Sequence, residues 1–127
     1  MKDTVNMEQP ERGTVLLCED EPIVALDVKI MIEDAGFRVV GPFARVDKAL
    51  DEVDGDFVAA VLDVRLRDGD VFPVAERLHK RGVPLIFHSG HIIEDDVALR
   101  FPCAKHCPKP IDSRAIRAAL RAVAAAS

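Results

Sequence analysis

The stretch VLLCEDEP, residues 15–22, carries an apolar run straight into three acids and a proline. Burying carboxylates is costly, and setting them side by side adds mutual repulsion. A core strand that ends this way needs something at its tip to cancel the charge. Outward from it, short apolar runs alternate with longer stretches of helical spacing. The runs are VLLC (15–18), FRVVGPF (37–43), FVAAVL (57–62), VPLIFHS (83–89) and CAKHC (103–107). They are mostly continuous, as strands buried on both faces of a parallel sheet are. Helical spacing covers 21–35, 45–53, 70–81, a weak segment at 92–99, and 112–125. Gly36 and Gly82 stand where helix C-caps belong, and Asp112 where an N-cap belongs. Five β–α units imply an α/β domain, an open parallel sheet covered by helices on both faces.

The chain has 127 residues, 49% of them hydrophobic, which is enough for one core. Its charges are mixed and sum to −5, so nothing favours a nucleic-acid grip. No apolar run is long enough to span a bilayer, and no membrane partner is expected. The opening MKDTVNMEQPERG (1–13) lacks a signal-peptide core and is read as a flexible tail, with the domain over 14–127. Cytoplasmic localisation is expected, and three cysteines suit reduced thiols better than a disulfide framework.

In a parallel sheet all strand carboxyl ends share one edge, where such folds bind ligands. The first strand ends in Glu19 and Asp20, the third in Asp63, the fourth in Ser89, and the fifth in Lys109. Three carboxylates in one pocket repel unless a cation joins them, and an all-oxygen set suits Mg²⁺. Lys109 neutralises a second anionic charge, and Ser89 offers a hydroxyl to a phosphoryl oxygen. That combination suits phosphoryl transfer onto a carboxylate.

From Thr14 onward these residues resemble the bacterial response-regulator receiver domain. The shared marks are Glu19-Asp20, Asp63, Asp68-Gly69, Ser89 and Lys109-Pro110, in order and each at or just beyond a strand end. The resemblance implies a flavodoxin-like (βα)5 sheet with strand order 2-1-3-4-5. It makes Asp63 the acceptor of a phosphoryl group from a histidine kinase. Asp20 would bind Mg²⁺ directly, Glu19 through water, and the Arg65 backbone carbonyl would complete the protein ligands with Asp63. Lys109 would pair with phosphoryl oxygens, Ser89 would move toward them, and Lys109-Pro110 would be cis.

The chain also departs from the pattern. The usual aromatic switch residue, three before the lysine, is His106, and the chain has no tyrosine. PLIFHSGH (84–91) resembles the receiver subset whose fourth strand runs into Phe-Ala-Thr-Gly-Tyr, with His91 in the aromatic's place and Gly90 freeing the backbone. Pro102 stops the fourth helix early, so that helix is expected to be short or irregular. His91 and His106 are candidate tuning residues, against the ordinary alternative of a solvated loop histidine.

The first helix has two apolar stripes. Val24, Val28, Met31, Ile32 and Ala35 form the core face. Ile23, Leu26 and Ile30 form another, flanked by Asp27, Glu33 and Asp34, and are read as a contact for a kinase bundle or a second receiver. The alternative is deeper burial under the tail. Cys103, His106 and Cys107, with His88 and His91, invite a zinc reading. Against it, Cys103 and Cys107 fall in a predicted buried strand, where cysteine acts as a small hydrophobe, as Cys18 does in the first strand.

The expected function is a stand-alone receiver that signals through an unknown partner or a homodimer, and is no enzyme beyond its own phosphorylation and dephosphorylation. Alternatives are a phosphate shuttle or sink, a small Mg²⁺-dependent aspartyl-phosphate phosphatase, or a degenerate receiver that only binds a partner. The phosphatase would want an acid where Arg65 stands.

Overall fold

The computed structural model describes residues 12–90 and 95–126. Five parallel strands, β1 (Thr14–Cys18), β2 (Arg38–Phe43), β3 (Ala59–Asp63), β4 (Leu85–Ser89) and β5 (Lys105–Pro108), form one sheet. Its order is β2-β1-β3-β4-β5, as expected. The helices are α1 (Pro22–Asp34), α2 (Val46–Leu50), α3 (Phe72–Lys80), a short α4 (Asp95–Arg100) and α5 (Ser113–Ala126). Residues 1–11 of the tail lie outside the described residues, but the Gly13 carbonyl already accepts the Arg38 N–H at 2.9 Å.

Strand alternation splits the core into two layers. Leu16, Cys18, Ala60, Leu62, Leu85 and Phe87 meet α2, α3 and α4. Val15, Leu17, Ala59, Val61 and Ile86 meet α1 and α5, where Val28, Ile32, Ile116 and Leu120 are fully buried. Both layers are needed because the strands are apolar on both faces.

Gly36 and Gly82 end their helices at φ 98° and 79°, and the Asp112 carboxylate caps α5 by accepting the Ala115 N–H at 2.8 Å. Gly41 has a different duty. β2 bulges against β1 between Val40 and Phe43, with Gly41 at φ 113° and a cis Gly41-Pro42 bond. A Cβ on Gly41 would lie 2.4 Å from the Leu17 carbonyl oxygen, so only glycine fits.

Three expectations need correction. Cys103 is exposed, because the chain turns after Phe101 and β5 starts only at Lys105. Residues 65–70 form a two-residue hairpin, Arg65–Leu66 against Gly69–Asp70, so α3 starts later than its spacing suggests. α2 stops at Leu50, yet Val53 beyond it remains buried.

Candidate functional site

The strand register sets the site. Cys18, Leu62, Phe87 and His106 are partners in one row across β1, β3, β4 and β5. One residue further along, Asp63, His88 and Cys107 are partners, with Glu19 following Cys18. Alternation turns this second row toward the α1–α5 layer, to which Cys107 belongs. Glu19, Asp63 and His88 are buried, at 2%, 6% and 0% exposure.

Oxygens of Glu19, Asp20 and Asp63 lie within 4.8 Å of one another. Lys109 Nζ reaches in from beyond β5, 3.0 Å from Asp63 Oδ2 and 3.1 Å from Glu19 Oε1. The Lys109 N–H bonds the Ser89 carbonyl at 2.9 Å, and Lys109-Pro110 is cis. Glu19 Oε2 accepts the Glu21 N–H at 3.0 Å, and Asp63 Oδ1 accepts the Arg65 N–H at 3.4 Å. Glu19 Oε1, though close to Lys109 in charge, has no hydrogen bond. Ser89 is half-buried at the tip of β4.

One ammonium against three carboxylates leaves the pocket acidic. Burial pushes the Glu19 carboxyl up to about 7; the Glu21 N–H pulls it back, Asp63 adds to the rise, and Lys109 opposes it. Burial works against charge on Lys109, but hydrogen bonds to Asp63 and Glu19 outweigh it and its pKa rises. Burial pushes the Cys18 thiol to about 12, with the Asp63 charge adding across the sheet. The donor set fits a hard divalent cation: oxygen atoms only, excess negative charge, and a buried Glu19 oxygen without a hydrogen bond.

Asp68 does not join the trio. Its carboxylate accepts the Val46 and Asp47 N–H groups at 2.6 and 3.1 Å, so the hairpin after Asp63 caps α2. His106 is exposed and stacks on Phe87, with ring centroids 6.0 Å apart. Gly90 is exposed with open space around it, and His91 lies outside the described residues. Ile23, Leu26 and Ile30 are 79%, 58% and 46% exposed, on the helix that opens beside Glu21. Among the described residues, the grouped potential metal ligands are the acidic trio, not the cysteines and histidines. His88 is the site residue that sequence reasoning misplaced. It neighbours Cys107 in register, but its Nδ1 faces Glu19 Oε1 at 3.5 Å. Its one signal was parity, since it shares the strand face of the acids.

A 2-1-3-4-5 parallel sheet with an acidic trio and a lysine at its carboxyl edge defines a receiver-type domain. No protein-family model and no curated protein matches the chain. Solved structures do. SdrG from Sphingomonas melonis Fr1 is 34% identical, with 87% of this chain and 95% of that one covered at a TM-score of 0.74. A response regulator receiver protein from Sinorhizobium medicae WSM419 is 26% identical, with 93% and 98% covered at a TM-score of 0.80. The receiver domain of sensor histidine kinase PA1611 from Pseudomonas aeruginosa PAO1 has magnesium coordinated in its active-site cleft. It shares the fold at 20% identity, with 89% and 97% covered and a TM-score of 0.75. The chain belongs with the response-regulator receiver domains. No helix among the described residues is long and apolar enough to cross a membrane.

Proposed function

We propose that Asp63 accepts a phosphoryl group from the phosphohistidine of a histidine kinase, in a Mg²⁺-dependent reaction in the cytoplasm. The observation that carries this reading is the carboxylate trio within 4.8 Å, with Lys109 between Glu19 and Asp63. An Asp63 carboxylate oxygen attacks phosphorus as the P–N bond breaks, and the bonding pair leaves on the imidazole. Asp20, Asp63 and the Arg65 carbonyl, with Glu19 through water, would hold Mg²⁺, which would supply positive charge to offset that of the phosphoryl oxygens. Lys109 pairs with one of those oxygens, and the Ser89 hydroxyl donates to another. The chain's own part is positioning and charge balance; the donor supplies the driving energy.

Catalysis is confined to the protein's own phosphorylation and dephosphorylation, and output passes through a protein partner. The exposed Ile23, Leu26 and Ile30 stripe supports a contact on α1 for the kinase bundle or a second receiver. Leu26→Asp would then slow phosphotransfer from the kinase, or block self-association, while leaving uptake from a small donor intact. We place the chain with the Phe-Ala-Thr-Gly-Tyr subset, with Arg65 and His91 tuning phosphoryl lifetime and His106 at the switch position. The decisive experiment is incubation with acetyl phosphate and Mg²⁺, followed by a search for acid-stable, base-labile phosphate. Asp63→Asn abolishes it; a wild type that takes up none from donor or kinase ends the proposal.

A further inference from the structure

His88 is a fully buried imidazole that follows Leu85, Ile86 and Phe87 in β4, and neither of its nitrogens meets a hydrogen-bond partner with good geometry among the described residues. Glu19 Oε1 is likewise buried without one. The two orphans face each other, with Nδ1 3.5 Å from Oε1 and both side chains at 0% exposure. Burying polar groups is tolerated when they satisfy one another. Closing this gap to ordinary hydrogen-bond length takes a shift of only about half an ångström.

The ring is suited to donate. Burial pushes its pKa down to about 4; the Asp63 charge opposes this, and the Lys109 charge reinforces it. The Cys18 backbone lies near enough to the ring to favour its charged form. A carboxylate oxygen can only accept, so the N–H that meets Glu19 Oε1 belongs on Nδ1, the nitrogen that faces it at 3.5 Å. Glu19 needs such a partner. Its Oε2 is fixed by the Glu21 N–H at 3.0 Å and lies 3.4 Å from Lys109 Nζ, whereas Oε1 has only the nearby Lys109 charge. An aliphatic residue at position 88 would continue the Ile86 face and leave Oε1 with the Lys109 charge alone.

We propose that His88 is a positioning residue for Glu19: its Nδ1–H donates to Oε1 and holds the carboxylate in the orientation that serves the cation. This rests on the acidic trio being a Mg²⁺ site. Outer partners that orient a metal ligand characteristically control affinity, and their loss costs tenfold or more.

The test is Mg²⁺ affinity by titration calorimetry on wild type, His88→Leu and His88→Asn, since an asparagine amide nitrogen occupies about the place of imidazole Nδ1. His88→Leu should weaken Mg²⁺ binding about tenfold, and His88→Asn should restore most of it. Nitrogen-15 NMR of the wild type should show a neutral ring protonated on Nδ1. Equal affinity in wild type and His88→Leu overturns the inference. So does equal loss in both variants, which would mark a packing role, or a ring protonated on Nε2. If His88→Leu does not fold, the asparagine variant and the tautomer still decide. A wild type that binds no Mg²⁺ would instead overturn the reading of the trio beneath it.

Discussion

Two adjacent rows of the same sheet carry opposite chemistry. Cys18, Leu62 and Phe87 are fully buried and apolar, with His106 stacked over the last of them. One residue along, Glu19, Asp63 and His88 are just as hidden but polar, ending at the buried Cys107. Both rows rest on the same backbone and differ only in the face to which alternation sends them. The apolar row contributes stability through packing, whereas the polar row works against the fold unless its charges are matched. The site is therefore tolerable because it leans on a rigid neighbour, a local conflict of the kind found where proteins do chemistry.

The strongest way to break the contrast is through Phe87. Phe87→Ala should cost about 3–5 kcal/mol by urea denaturation, through lost burial and the cavity left behind. A loss below about 1 kcal/mol would mean that this row is not the support. Next is Lys109→Met, which strands Glu19 and Asp63 together. Without metal at pH 8 it should cost roughly 3 kcal/mol, and less at pH 5, where Glu19 takes up a proton.

Glu19→Gln should act the other way. The folded Glu19 pKa of about 7 lies above the ordinary 4.5, so the folded protein holds that proton more tightly than the unfolded chain. The resulting stability is complete below the ordinary pKa and lost as pH rises through the folded one. Metal-free wild type should thus lose about 1–3 kcal/mol relative to Glu19→Gln between pH 4.5 and pH 8, read from paired melts. Mg²⁺ at ten times its Kd should return about 1.4 kcal/mol to wild type and little to the variant. The smallest expected effect is none at all. Cys18, buried and pushed to about 12, should resist a thiol reagent in the native state while exposed Cys103 reacts.

Much of this could be read before any coordinates. Continuous apolar runs marked the strands, and the acids, Ser89 and Lys109 all sit at one edge of the sheet. Reading failed where the signal was not periodic. Cys103 looked like strand because it adjoins apolar residues, but the turn after Phe101 exposes it. The Arg65–Asp70 hairpin has too few residues to show a period, and Asp68 caps a helix that starts at Val46, far back in the chain. His88 was weighed with the cysteines because they are near in sequence, whereas strand parity assigns it to Glu19. Ile23, Leu26 and Ile30 did stand out, because a second apolar stripe has no use in a helix with one buried face.

Position 41 carries a consequence for anyone mapping this protein by saturation mutagenesis. Every residue other than glycine brings a Cβ to within 2.4 Å of the Leu17 oxygen, in a backbone conformation that side chains rarely adopt. In such a map Gly41 would look as intolerant as Asp63. Abundance would tell them apart: a Gly41 variant should be depleted, whereas Asp63→Asn, if Asp63 is the proposed phosphoryl acceptor, should accumulate without signalling.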